Sequence, residues 1–154
     1  MAIRNLRLDE DPILRKQSRP ITDITDRIKT LAEDMLETMY HAEGVGLAAP
    51  QVGVLRRIIT VDVGEGPYVM INPEILEQEG EVIDSEGCLS FPDVTGYVKR
   101  PQKIKVKYTD LDGAVHTIDG ENLMARCVCH EVDHLNGIVF VDKLCEPTEV
   151  NYES

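Results

Sequence analysis

The segment CHEVDHLNG, residues 129–137, most constrains how this chain can fold. His130 and His134 stand four residues apart. On a helix such residues differ by only about 40° in azimuth and one turn in height, so both imidazoles project side by side and can reach one metal ion. Glu131 lies about 100° from His130 and about 60° from His134, close enough to touch a water at that ion without ligating it. Two histidines do not complete a catalytic metal site, which usually has three protein ligands and one open position. The fold must therefore bring a third ligand to this helix from elsewhere in the chain.

The downstream sequence does not supply one. A metzincin places its third histidine six residues after the second, and that position is Phe140. A thermolysin-like glutamate needs a further helix, and no helical pattern follows between His134 and Ser154. An H-E-x-x-H endopeptidase is thus the weaker enzyme reading. A Cys/His module that uses metal only as a structural staple is the non-enzyme alternative, and it would favour a closed four-ligand site.

Upstream the residues leave several candidates. Cys127 lies one turn before His130, but seven residues from His134 is about 10.5 Å along the axis, so it reads as a wall of the site. Cys129 points about 100° away from His130 and reads as a small buried apolar residue. Cys145 sits beside a polar tail. Cys88, in DSEGCLSFPD, remains open as a ligand, as do His41 and His116, for which a helix-end cation and an exposed strand residue are simpler readings.

The remaining pattern predicts an α+β fold. In ITDRIKTLAEDMLETMYHAEG, apolar residues recur at three and four from Ile28 to Met39, which predicts an amphipathic N-terminal helix. Asp23 or Thr25 can cap its start, and Gly44 can end it. GVGLAAPQVG follows as a small-residue loop, and it lacks the spacing of a phosphate-binding loop. RRIITVDV, YVMINPEIL, EGEVIDS, GYVKRPQKIKVKYTD and AVHTID read as strands separated by Asn-Pro, Gly and LDG turns. The alternation in KIKVKY places Ile104, Val106 and Tyr108 on one face and lysines on the other, as in an antiparallel strand with one wet side. A helix from near Glu121 to Gly137 carries the two histidines, and IVFVDKL reads as a last short strand.

Length and charge narrow the function. The 154 residues suit a single domain, 1–154. A formal charge of −12 argues against direct nucleic-acid binding or adhesion to an anionic membrane. The N-terminus shows no signal-peptide pattern and no segment approaches the length of a membrane span, so a cytoplasmic protein is expected. In that compartment the four cysteines are expected as thiols or ligands rather than disulfides.

Three segments, GVGLAAPQ (44–51), EGCLS (86–90) and HEVDH (130–134), resemble in order the three signature motifs of the bacterial peptide deformylases. The likeness extends from DPILRK through INPEI to DHLNG. It implies antiparallel sheets packed around a central metal-binding helix, and removal of the N-formyl group from the initiator methionine of new polypeptides. By matching position it implies Cys88, His130 and His134 as metal ligands and Glu131 as general base and acid. Gln51 and the Leu89 backbone N–H would form an oxyanion hole. Gly46 would offer backbone to the substrate, and Val45, Leu123 and Cys127 would line the methionine pocket. Arg126 and Asp84 fall at the outer rim, where relatives commonly carry apolar residues. The resemblance further implies Fe(II) in the cell, with zinc, nickel or cobalt able to substitute. The partners it implies are formylmethionyl nascent chains, with ribosome contact transient at most, because the tail after Leu144 is short and acidic rather than a basic helix.

Overall fold

Thr25 caps the first helix, α1 (Asp26–His41), by accepting from the Ile28 N–H. The structure, a computed structural model, describes residues 2–146. At the far end of α1 it is Glu43, with φ 58°, that takes the left-handed position expected of Gly44. Gly44 serves a different need, because a Cβ there would lie 2.7 Å from Leu89 Cδ1.

In chain order the strands are β1 (Gly46–Ala48), β2 (Ile58–Val61), β3 (Tyr68–Glu79), β4 (Val82–Cys88), β5 (Phe91–Arg100), β6 (Lys103–Thr109), β7 (Val115–Glu121) and β8 (Leu144–Cys145). They form two antiparallel sheets, one in the order β1-β2-β3-β6-β7 and one in the order β4-β5-β8. The expected small-residue loop is therefore partly strand: β1 pairs with β2, and Ala49–Val52 then form a 3-10 turn.

The Asn-Pro turn expected in YVMINPEIL does not break the chain. Asn72 adopts φ 51° inside β3, where the pairing with β6 shifts register. Asparagine tolerates this left-handed geometry, and its side chain is satisfied by accepting from the Ile21 N–H and donating to the Ile21 carbonyl. The result is a bulge within one long strand. In β6 the alternation holds: Ile104, Val106 and Tyr108 are buried, while Lys103 and Lys105 pair with Glu121 and Glu77.

The second helix, α2 (Leu123–Leu135), starts later than the pattern suggested, because Glu121 still pairs with Lys103 in the β6–β7 ladder. Gly137, with φ 75°, ends it as expected. IVFVDKL is mostly not a strand. Val139 and Phe140 are both buried in the cluster under β5, and Phe140–Lys143 form a 3-10 turn before β8.

The five-stranded sheet is covered on both faces, which is why all four residues of β2 are buried. Ile58 and Ile71 share a core with Leu31, Met35 and Met39 of α1, whereas Ile59, Val61 and Met70 share one with Ala125 and Val128 of α2. A third cluster, Leu14, Phe91, Val98, Val139 and Phe140, underlies β5. Helix α2 is thus set against both sheets, the arrangement expected of a central helix. No helix among the described residues is long and apolar enough to cross a membrane.

Candidate metal centre

Helix α2 is enclosed on nearly every side, with each residue from Met124 to Glu131 buried, so that His130 and His134 face away from the core residues Ala125 and Val128 and are buried as well. Opposite them Cys88 ends β4, directly before the two-residue turn Leu89–Ser90. The β4–β5 register is irregular between Gly87 and Cys88, the kind of bulge that re-aims a side chain beside a site. The ligand atoms of Cys88, His130 and His134 all lie within 4.8 Å of one another. Cys88 Sγ is 3.3 Å from His134 Nε2. His130 Nδ1 is 2.7 Å from Glu86 Oε1, which leaves its Nε2 for the cluster.

Glu86 organises the surroundings. Arg100 donates to both its oxygens at 2.9 Å, and Arg126 Nη1 donates to Oε2 at 2.7 Å. Burial opposes ionisation of Glu86, but Arg100 and His130 outweigh it and hold the carboxyl well below its ordinary value. Arg100 also reaches Asp133, whose carboxylate is shared with Lys143. A permanently ionised Glu86 accepts from His130 Nδ1–H and so selects the tautomer whose Nε2 lone pair is free.

The field at the cluster favours a cation. Burial alone would lower the pKa of His130, yet Glu131, Cys88 and Glu86 raise it to about 10. His134, buried and facing His130 and Arg100, is lowered to about 3 and stays neutral. Glu131 is raised to about 7, chiefly by burial, so it can carry a proton near neutral pH. Glu131 Oε1 and His134 Nδ1 are buried and have no hydrogen-bond partner among the described residues. A soft sulfur ligand and two imidazoles form a donor set that fits a divalent transition-metal ion.

Beside the cluster lies a cavity of about 600 Å³. It brings together all the residues expected for catalysis or substrate contact: Val45, Gly46, Gln51, Leu89, Leu123, Cys127 and Glu131 line it. Val45 and Leu123 are exposed at its edge, while Cys127 is buried. Burial raises the Cys127 thiol well above its ordinary value, and it donates to the Val45 carbonyl. Gln51 is held at three points: its Oε1 accepts from the Ala48 N–H, and its Nε2 donates to Ser90 Oγ at 3.0 Å and leans on Cys88 Sγ at 3.5 Å.

The other sequence candidates lie apart from this cluster. His41 is exposed at the end of α1, and His116 pairs with Asp110 and stacks on Tyr108. Cys129 is buried, and Cys145 pairs through its backbone with Tyr97. At the expected outer rim, Arg126 lines the cavity but Asp84 is exposed outside it. The expected acidic tail lies mostly outside the described residues.

Sequence reasoning missed Glu86, Arg100 and Ser90. Glu86 had a signal: it stands two residues before Cys88, so a strand through both puts them on one face. Ser90 had one too, as the last residue of the EGCLS segment, whereas Arg100 had none.

A thiol and two imidazoles converging beside a buried carboxylate, in a cavity open to solvent, define a metal-dependent hydrolase rather than a structural metal staple. The sequence matches the polypeptide deformylase family over residues 3–149. It is 59% identical over 144 residues to a peptide deformylase of Caldanaerobacter subterraneus subsp. tengcongensis, covering 94% of this chain and 91% of that one. It is 56% identical over 146 residues to peptide deformylase 1 of Clostridium acetobutylicum, covering 95% and 97%. The fold superposes on the crystal structure of peptide deformylase from Thermotoga maritima with a TM-score of 0.92 at 44% identity, covering 95% of this chain and 100% of that one. The chain belongs to the polypeptide deformylase family, the enzymes that remove the N-formyl group from the N-terminus of newly made proteins with the help of a divalent metal.

Proposed function

We propose that residues 1–154 act as one deformylase domain in which Cys88, His130 and His134 hold a single divalent ion. In the cell we take that ion to be Fe(II), with zinc, nickel or cobalt able to substitute. The observation that carries this reading is the approach of three ligand atoms to within 4.8 Å of one another, from two elements 42 residues apart in sequence at their nearest ligands, Cys88 and His130. Thiolate and imidazole together suit several of these metals, so supply rather than affinity selects among them.

When bound, the ion supplies Lewis acidity, which makes hydroxide available near neutral pH and polarises the formyl carbonyl. The remaining work falls to the chain. Glu131, buried and able to exchange a proton near pH 7, takes the proton of the attacking water and then passes it to the departing amine. As charge grows on the formyl oxygen, the Gln51 amide and the Leu89 N–H donate to it. Each such donor is worth about 3 kcal/mol when prepositioned. The contact of Gln51 Oε1 with Ala48 and of Nε2 with Ser90 holds the amide in place before substrate arrives.

Val45, Leu123 and Cys127 form the apolar lining for the methionine side chain, and the Gly46 backbone meets the peptide. The substrate is a formylmethionyl nascent chain in the cytoplasm, reached with at most transient contact to the ribosome. The test compares formate release from formyl-Met-Ala-Ser with cleavage of an internal peptide bond. Formate release alone is expected, and it is lost in Cys88→Ala. Full activity in that variant would remove Cys88 from the ligand set.

A further inference from the structure

The ligands come from two separate pieces of structure, the thiol from the β4–β5 hairpin and the imidazoles from α2. Their spacing therefore depends on how the hairpin is docked on the helix. Arg126 sits at that junction. It lies on α2 one turn before His130, and its side chain is buried. Its Nη1 donates to Glu86 Oε2 at 2.7 Å and to the Val98 carbonyl at 3.0 Å, and its Nη2 donates to the Val82 carbonyl at 2.8 Å. Val82 opens β4 and Val98 lies near the end of β5, so one guanidinium grips both strands of the hairpin. It also grips the carboxylate that orients His130.

Arg100 does not duplicate this function. It belongs to β5, the hairpin itself, so its paired bonds to Glu86 join β5 to β4. Its own reach to the helix is through Asp133, which is less buried and shared with Lys143. On the cavity side Arg126 adds to the His130–Glu86 bond a link from α2 that reaches both strands of the hairpin.

We propose that Arg126 is a positioning residue for the metal centre: its guanidinium locks the thiolate-bearing hairpin to the imidazole-bearing helix and sets the geometry in which Cys88 and His130 share one ion. This rests on Cys88, His130 and His134 being the ligands. Removing the guanidinium takes a donor from each of the two strand carbonyls and one of the two donors from Glu86 Oε2, while Arg100 still holds both Glu86 oxygens. The hairpin then moves relative to the helix without collapse of the core.

The test uses the full chain loaded with zinc, in four forms: wild type, Arg126→Met, Arg126→Lys and Cys88→Ala. Zinc release to an excess of chromogenic chelator is timed, the visible spectrum of the cobalt-loaded forms is recorded, and thermal melting is measured after metal is stripped. Arg126→Met keeps the length of the stem and loses the donors. It is expected to release zinc on the order of 10- to 100-fold faster and to change the cobalt spectrum, with the stripped protein melting close to wild type. Arg126→Lys, with one donor group, is expected to fall between, and it carries the test if the methionine variant does not fold. In both, kcat should fall more than KM rises. Zinc release at the wild-type rate with an unchanged cobalt spectrum would overturn the proposal. So would a raised KM alone, which marks a mere pocket wall, or a drop in stripped-protein melting that accounts for the faster release. Cys88→Ala distinguishes the two levels, because wild-type zinc retention there would overturn the ligand reading beneath the proposal.

Discussion

Gly46 shows how a single missing side chain makes room for a buried carboxylate. A Cβ at this position would lie 2.6 Å from both Cys127 Sγ and Glu131 Oε2, too close for both to stay where they are. Gly46→Ala is therefore expected to displace the Glu131 carboxylate, lowering kcat on formyl-Met-Ala-Ser by at least about tenfold while zinc content stays near wild type. Unchanged kcat would show that Glu131 tolerates the shift. Glu131 itself gives the complementary experiment. Glu131→Ala removes the proton carrier but no ligand, so turnover should fall by about 100- to 10,000-fold with the metal retained, as read by metal analysis of the purified variant. An empty site in that variant would contradict the separation of proton transfer from metal holding.

At the level of elements, α1 is fastened to the preceding segment by a buried carboxylate. Asp34 accepts from the Ala2 N–H at 2.7 Å and from Arg4 Nε at 2.9 Å, and Thr38 one turn on accepts from the Arg4 N–H at 2.9 Å. Burial pushes the Asp34 pKa up, but the Ala2 and Arg4 donors outweigh it and leave the carboxyl below its ordinary value of 3.8. Because the folded value is the lower one, the contribution of Asp34 is present in full above the unfolded value and is lost as pH falls through the folded one. Asp34→Asn should thus melt about 2–4 °C lower than wild type at neutral pH, and the gap should close as pH falls below the ordinary carboxyl value of 3.8. Melting curves across that range would detect it, and a gap that persists in acid would rule out the carboxylate as its source. The hydrophobic half of α1 should cost more. Met39 is fully buried against β2, and Met39→Ala should destabilise by about 2–5 kcal/mol in chemical denaturation.

On the scale of the whole molecule, a metal bound between the β4–β5 hairpin and α2 should act as a clasp. An ion that binds only the folded chain stabilises it by about 4 kcal/mol when present at about 1,000 times its Kd. Stripping with a chelator should lower Tm by about 8 °C or more, and cobalt should restore it; an unchanged Tm would mean that the site contributes nothing to holding the hairpin to the helix. Much of this architecture is legible in the chain. The period of α1, the alternation of β6, the two histidines on one face of α2 and the glycine that stops it are local properties, and local sterics and burial carry them into the fold. The departures occur where a local signal met a stronger distant demand: Asn72 bulges because Ile21 satisfies its side chain, and residues 140–143 coil because Phe140 must reach the cluster around Phe91. By itself the sequence determined that two imidazoles and a carboxylate share a helix and that a partner must come from afar. Only the tertiary structure decided how that partner is presented. The bulge before Cys88, the tautomer set by Glu86, and the grip of Arg100 and Arg126 all join residues far apart in the chain, and no local pattern records which distant groups a packed core will press together.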